Sequence, residues 1–352
     1  MTQVLSDWSD VFVYIAMAVY AAAFVTFTLD FAMRGSKAAA AAARHPSAAG
    51  ATARSRELVG ASVAADASAV SDAGITVAKR DGSGSGMSAT RSAEPTWKDS
   101  KSTKLLPVAM VLTIAAWVLH LVGTVLRGVA AARVPWANMY EFWLTATLLI
   151  VAVFLVVQLW QDLRFLGAFI TGFTTLTLGI ALITFYVPVA PLQPALQSVW
   201  LVIHVFVATM STGFLALGFG LSVLQLFQQR REERVRSGRA SGGPMTAFPS
   251  SVRLEDLAFR VNVVGFILWT FTLVAGAIWA ERAWGRPWGW DTKEVWTFII
   301  WVVYAGYLHA RTTHGWRGKP SAWLSIVGFL TVLFNFAVVN VFFKGLHAYS
   351  GL

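Results

Sequence analysis

The chain has 352 residues, of which 56% are hydrophobic and only 13% carry a formal charge. This composition excludes a pair of soluble domains, and the apolar runs of about 20 residues fit helices that cross a hydrocarbon core about 30 Å thick. The absence of cysteine excludes disulfides, thiolate ligands and thiol chemistry of the chain's own. The net charge of +10 would suggest nucleic acid for a soluble protein. In a membrane protein its distribution matters more, and we expect no nucleic acid partner.

The first predicted span covers about Val11 to Met33. It lacks the short apolar core and small-residue cleavage site of a signal peptide, so we expect residues 1–33 to remain as a transmembrane helix. Residues 34–104 are rich in Ala, Gly, Ser and Arg and poor in large apolar side chains. Such a composition is typical of disorder, and it predicts a basic cytoplasmic linker over this stretch.

The remaining residues, 105–352, contain seven further apolar runs separated by short polar segments. The predicted spans are about Leu105–Leu126, Met139–Trp160, Phe165–Val187, Ser198–Phe227, Leu257–Ala280, Thr292–Ala310 and Ser321–Phe343. The sequence therefore predicts an all-α, polytopic membrane protein with eight transmembrane helices.

The basic residues predict the orientation, because Lys and Arg are retained on the cytoplasmic side. If the first helix runs from outside to inside, 22 of the 28 basic residues lie in inner segments, and both termini lie outside. The six outer cations are Arg127, Arg133, Arg282, Arg286, Lys293 and Lys344. They are unfavourable there, so an anion should lie near them, either lipid phosphate or the carboxylates of a bound cofactor.

The most unusual stretch is Trp284-Gly-Arg-Pro-Trp-Gly-Trp-Asp291, which lies in a predicted outer loop and is called the tryptophan loop below. The indoles of Trp284, Trp288 and Trp290 could stack on a large, flat, apolar ligand. Gly285 and Gly289 would let the backbone approach that ligand closely. An interfacial tryptophan belt that only anchors helix ends is the alternative, although a belt requires neither glycines nor an acid.

The loop leads directly into a predicted helix start. Asp291 can accept hydrogen bonds from the first-turn amides, and Glu294 can reach back to the loop, as in a capping box. Asp291 could instead transfer protons, but we favour the capping role.

Two histidines fall near the same predicted outer surface. His204 is six residues into the fifth span, about 9 Å below the surface at 1.5 Å per residue. His347 follows the eighth span, after Gly345, which is a plausible helix C-cap. A flat apolar ligand with a histidine available on each side is the arrangement that bis-histidine haem requires.

Two further histidines lie deeper in predicted spans. His309 is about 26 Å along its helix from Thr292, near the cytoplasmic end. It is either a neutral side chain bonded to a neighbouring helix or a ligand of an inner haem whose second ligand comes from a partner. For His120 we favour a packed, hydrogen-bonded imidazole over a ligand.

The tryptophan loop resembles the WGxxWxWD signature of haem-handling membrane proteins. Its surroundings are similar to the CcsA/ResC subunit of the System II cytochrome c synthase, across about Leu105 to the C-terminus. The other matching stretches are Pro135–Glu141, Leu196–His204, Trp301–Arg311 and Gly345–Tyr349. The resemblance does not extend to the linker and implies nothing about its function.

The resemblance implies a haem-handling subunit of a haem lyase type synthase in the bacterial cytoplasmic membrane. His204 and His347 would ligate haem b at an outer site, and His309 would ligate it at an inner site. The tryptophan loop would present haem to the CxxCH cysteines of apocytochrome c. The implied partners are a Ccs1/ResB-type membrane subunit, thiol reductants acting on the apocytochrome, and membrane lipid. Translocation of haem by the subunit is left open.

Two other functions fit parts of the pattern. A cytochrome b-like electron carrier would hold permanent haems between paired histidines at both depths, and the inner pair is incomplete here. A haem exporter without synthase chemistry, or a System I relative with the same tryptophan signature, is separated from a synthase only weakly by sequence.

Overall fold

A computed structural model describes residues 2–44, 104–189, 197–239, 244–313, 316–343 and 345–346. Across these ranges the regular secondary structure is helical. The main helices are α1 (Thr2–Arg44), α2 (Leu105–Ala131), α3 (Met139–Val157), α4 (Gly167–Thr184), α5 (Val199–Arg236), α6 (Ser251–Trp284), α7 (Thr292–Thr312) and α8 (Lys319–Phe334). Short 3₁₀ turns occur at Arg164–Leu166 and Pro244–Ala247. A π-helical turn at Asn335–Val339 joins α8 to the last short helix, α9 (Asn340–Phe342).

Seven of these helical segments are long and apolar enough to cross a membrane, which confirms an all-α, multi-pass membrane protein. The helix outside that set is α7, because charged and aromatic side chains are concentrated along it. Its 21 residues would nevertheless extend about 31 Å. The eighth crossing and the location of the termini remain predictions.

The first helix is longer than the sequence predicts. It continues beyond Met33 to Arg44, past the expected start of the linker at residue 34, and the linker stays a prediction. Asp30 and Arg34 form a buried ion pair one turn apart near this point, with a 2.8 Å contact that favours continued helix. The rest of the predicted linker, residues 45–103, lies outside the described residues.

Helix α5 is central to the packing, since it contacts α3, α6 and α8, whereas α1 packs along α2 and α4. Small residues allow the close approach of α5 and α6, because a Cβ on Gly218 would overlap the Asn262 side chain. Asn262 in turn donates to Ser325 on α8 at 2.9 Å. A glycine contact and a buried polar bond thus hold α5, α6 and α8 together.

Contacts between helix ends place several segments at one end of the bundle, which we call the site end. Asp10 near the start of α1 accepts hydrogen bonds from Tyr140 at 3.4 Å and from Tyr186 at 2.6 Å. Burial and the hydrogen bond to Asp10 raise the pKa of Tyr186, so this phenol remains a donor at neutral pH. The start of α1, the start of α3 and the end of α4 therefore meet.

A buried carboxylate organises the loop before α3. Glu141 is fully buried and pairs with Arg127 at 3.1 Å and Arg133 at 2.6 Å. It also accepts from the backbone N–H of Ala137 at 3.0 Å, while Asn138 caps the helix by accepting from the Glu141 N–H. One acid thus fixes both the loop and the helix that follows it.

The opposite end of the bundle is held by a second ion cluster. Arg311 near the end of α7 pairs with Glu255 at 2.7 Å and Asp256 at 2.9 Å, both near the start of α6. Glu255 also accepts from the backbone N–H of Gly318 just before α8. Helix α7 therefore runs antiparallel to α6 and reaches the same depth in the bundle.

Replacing Glu141 tests the buried cluster. We expect Glu141→Ala to lower the free energy of unfolding by about 3–5 kcal/mol, because it leaves two guanidinium groups without their carboxylate. Denaturant titration in detergent, followed by circular dichroism, measures this. The control is Glu233→Ala, which breaks an exposed pair with Lys319 and should leave the midpoint unchanged. Equal denaturation midpoints for Glu141→Ala and Glu233→Ala would contradict the stabilising role of the buried Glu141 cluster.

Candidate functional site

His204 is held in one orientation by α6. Its Nδ1 lies 3.0 Å from the Thr272 carbonyl oxygen, so this nitrogen carries the proton and donates. The resulting tautomer leaves the lone pair on Nε2, the nitrogen that would ligate a metal. The ring stacks on Trp279 with centroids 5.9 Å apart and planes 18° apart. The contacts with Thr272 and Trp279 therefore fix the orientation of the His204 ring.

The close fit of His204 against α6 depends on Gly276. A Cβ at this position would lie 2.8 Å from Cε1 and 3.0 Å from Nδ1 of His204. Real Cβ contacts are almost never as short as 2.8 Å, so any larger residue would displace the ring. Gly276 is a site residue that sequence reasoning missed, because glycines are common in membrane helices and no neighbouring residue marks this one.

Two cavities meet at His204. One has about 660 Å³ of empty space, including its open mouth, between α3, α5 and the π-helical turn. The other has about 440 Å³ between α6 and the start of α7. His204 and Lys293 line both cavities. Trp136 lines the first cavity and Trp288 the second, so aromatic walls flank the histidine on two sides.

The three indoles of the tryptophan loop do not form a single stack. Trp284 lies 4.7 Å from Trp279, next to the His204 ring. Trp288 and Trp290 are 5.8 Å apart and perpendicular. Trp290 is 76% exposed and has a left-handed backbone with φ of 59°, which strains a residue with a side chain. Without a ligand the three indoles thus belong to two separate aromatic groups, and their stacking on a flat ligand stays a prediction.

The two loop glycines shape the loop itself in this structure, and their approach to a ligand stays a prediction. Gly285 caps α6 in the left-handed conformation, with φ of 68°, which a residue without a Cβ adopts readily. A Cβ on Gly289 would overlap the Arg286 guanidinium, so an arginine rather than a ligand occupies that space. The glycines therefore shape the loop itself.

The predicted helix start is confirmed. Asp291 and Glu294 form a capping box on α7. The buried Glu294 carboxylate accepts from the N–H of Asp291 at 3.1 Å and of Gly289 at 2.8 Å. A single acid thus holds the loop against the head of α7, as the capping role required.

Asp291 also connects the loop to the C-terminal segment. A Cβ on Gly345 would overlap Asp291 Oδ1, so the backbone at Gly345 lies directly against this carboxylate. The segment that leads to His347 therefore passes the tryptophan loop. His347 itself lies outside the described residues.

The predicted outer cations have different partners. Arg127 and Arg133 pair with Glu141, Arg282 lies 5.8 Å over the Trp200 ring, and Arg286 packs on Gly289. Lys344 lies outside the described residues. Lys293 is the exception among the described cations of this group, because it lines the two cavities beside His204.

His309 does not lie near His204 or the tryptophan loop. It lies in the last turn of α7, at the Arg311 end of the bundle, with its side chain exposed. Phe298 and Val302 are also exposed, at helical spacing along the same face, and a Cβ on Gly306 would meet nothing within 4 Å. His309 thus faces away from the chain's interior.

His120 is packed inside the bundle, as predicted. It is fully buried, with its ring 6.0 Å from Tyr20 in an edge arrangement. Within the part of the chain that the structure describes, neither ring nitrogen forms a hydrogen bond of ordinary geometry. Neither of the two cavities beside His204 is lined by His120.

Comparisons with known proteins identify the family of this chain. The family model "Cytochrome C assembly protein" matches residues 136–347, which include His204, the tryptophan loop and His347. A cytochrome c biogenesis protein CcsA from Prochlorococcus marinus is 33% identical over 268 residues, 69% of this chain and 84% of that protein. The CcsA protein of Guillardia theta is 36% identical over 246 residues, 64% of this chain and 80% of its own length. The chain therefore belongs to the CcsA family of cytochrome c assembly proteins, membrane proteins of cytochrome c biogenesis.

Proposed function

We propose that this chain is the haem-handling subunit of a cytochrome c synthase. It binds haem b as a substrate through His204 and His347 and presents it to the CxxCH cysteines of apocytochrome c at the outer membrane face. The observation that carries the proposal is the orientation of His204, with Nδ1 bonded to Thr272 and two aromatic-walled cavities on either side.

The second ligand would come from the C-terminal segment. Asp291 lies against the Gly345 backbone, two residues before His347, so the loop and this segment share one end of the bundle. His204 on α5 and His347 on this segment would then together hold the haem iron. Two axial imidazoles would keep the iron low-spin and sheltered from other ligands.

The reaction requires positioning more than acid–base catalysis. Each haem vinyl group accepts one cysteine S–H: a carbon–sulfur bond forms, and the hydrogen goes to the other vinyl carbon. The addition consumes no oxidant. This chain has no cysteine, so both thiols belong to the apocytochrome, kept reduced by thiol reductants. Holding the vinyl groups at a fixed place would supply most of the acceleration.

Trp290 is suited to meet the apocytochrome. It is the most exposed indole of the loop, and its strained backbone keeps the side chain outward. Trp288 instead lines a cavity next to His204, where it would contact bound haem. Trp290 would therefore dock the apocytochrome, and Trp288 would help to retain haem.

His309 would serve an inner haem position shared with a Ccs1/ResB-type subunit. Its exposed face, with open space at Gly306, leaves room for a porphyrin or a helix from a partner. A cytochrome b-like carrier is less well supported, because the other described deep histidine, His120, is buried against Tyr20 on α1. A haem exporter would bind haem similarly but would form no thioether product.

We also propose that α7 is an eighth crossing, with both termini and the tryptophan loop outside. Arg311 near its end pairs with Glu255 near the start of α6, and its other end begins directly after the tryptophan loop that follows α6. The cysteine-free chain allows a direct test with single cysteines and an impermeant thiol reagent. Ser350→Cys should be labelled in intact cells and Ser237→Cys only after lysis. Labelling of Ser237→Cys in intact cells would contradict this topology.

The outer site is tested by His204→Ala and His347→Ala in the purified complex. Each variant should lose the low-spin haem spectrum, because one axial nitrogen is missing. Added imidazole should restore both the spectrum and cytochrome c maturation in part, since it fills the gap left by the side chain. Unchanged spectra in both variants would show that the ligand assignment is wrong.

The orientation of His204 is tested separately with Gly276→Ala. We expect haem affinity to fall about 10- to 100-fold, as when support for a metal ligand is lost. The matched control is Gly179→Ala on α4, where the nearest atom to an added Cβ would be 3.8 Å away, so affinity should not change. Equal affinity in the two variants would argue against Thr272 and Gly276 as the support for His204.

The inner site is tested with His309→Ala, with and without the partner subunit. His309 is about 26 Å along α7 from the loop, too far to touch the same porphyrin. We expect less haem at the outer site when the partner is present, with the spectrum of the remaining haem normal. Trp288→Ala should instead weaken retention by about 1–3 kcal/mol, by analogy with base stacking on aromatics. A normal amount of haem in His309→Ala with the partner present would contradict the inner site and leave a single outer haem site.

A further inference from the structure

Lys293 is a cation in an unusual position. It is the second residue of α7, is partly buried, and lies on the walls of both cavities that flank His204. None of the ion pairs among the described residues involves it. A partly buried charge without an ion-pair partner is costly, so such a group is usually retained for function.

Two neutral contacts hold the ammonium group in place. Lys293 Nζ donates to Asn340 Oδ1 and lies 5.4 Å from the centre of the Phe336 ring. Asn340 is fixed in turn by a contact from Nδ2 to Met139 at 3.4 Å. The π-helical turn supplies Phe336 and ends directly before Asn340, and such turns are frequent at functional sites. These contacts orient the charge but do not neutralise it.

The nearby acids also have other contacts, although Asp291 acts electrostatically on Lys293 from beyond ion-pair distance. Asp291 lies against the Gly345 backbone, and Glu294 accepts from the loop amides of Gly289 and Asp291. Lys293 keeps a strong hydrogen-bond donor beside the cavities, and an ammonium has three donors, of which Asn340 takes one. The complementary ligand group is an anion that can enter an aromatic-walled cavity.

We propose that Lys293 binds a carboxylate of the porphyrin whose iron is held by His204. This inference rests on the proposed function and specifies how the substrate is oriented there. Haem carries its two carboxylates on one edge and its two vinyl groups on the other. Anchoring the carboxylate edge at the cavity wall would turn the vinyl edge away from Lys293, leaving it available to the thiols of the apocytochrome.

The test compares haem b with its dimethyl ester, which has the same iron and ring but no carboxylate charge. Dissociation constants would be measured on the purified complex by transfer of the ligand to apomyoglobin. The wild type should bind haem b about ten-fold or more tightly than the ester, because a charge-assisted hydrogen bond to a carboxylate is lost. In Lys293→Gln this ratio should fall to about one, through weaker binding of haem b.

Two further variants control for charge and folding. Lys293→Arg keeps the charge and should keep most of the preference for haem b. Arg282→Gln removes another cation of the site end, one that stacks on Trp200 and lines neither cavity, and should keep the full preference. The wild-type comparison of acid with ester requires no variant, so it stands even if Lys293→Gln does not fold. Equal affinities there would overturn the proposal.

The outcomes separate this inference from the function on which it rests. If His204→Ala weakens both ligands while Lys293→Gln leaves their ratio unchanged, the carboxylate site is wrong and the outer haem site stands. If neither ligand responds to His204→Ala or His347→Ala, the outer haem site itself is wrong, and the proposal for Lys293 fails with it.

Discussion

The hydrogen bond from His204 to the Thr272 carbonyl is the contact on which the candidate site depends. It joins α5 to α6, fixes the ring tautomer and leaves Nε2 as the nitrogen that would ligate haem iron in the proposed function. The contact is possible because Gly276 lets the imidazole lie against the α6 backbone. Without this fixed histidine, the aromatic walls and the tryptophan loop would be indistinguishable from ordinary apolar packing.

The polar groups of this membrane protein follow two different physical rules. Glu141 is fully buried, but two guanidinium groups and a backbone amide satisfy it, so its role is structural. Lys293 is held by an amide and a ring, and it takes part in none of the ion pairs of the described residues. Because burying a charge without an ion-pair partner is costly, the paired cluster explains stability, and the position of Lys293 is the basis for the carboxylate ligand proposed above.

The indoles of the tryptophan loop also differ in how they are packed. Its first indole, Trp284, ends α6 and packs on Trp279 beside His204, whereas Trp290 is exposed on a strained backbone. Glu294 holds the intervening turn to the head of α7 through two backbone amides. The loop therefore connects two helices, with Trp284 and Trp288 beside His204 and Trp290 exposed.

Sequence alone determined the helical class, the multi-pass topology class and the capping box at Asp291, because each depends on local hydrophobicity or on residues within one turn. It also singled out His204 and the tryptophan loop from residue type and position. Only the tertiary structure decided that Gly276 supports His204, that Arg286 fills the space at Gly289, and that Lys293 lies between the cavities. These features depend on the exact three-dimensional placement of side chains, in most cases between helices far apart in the chain, which local patterns do not encode.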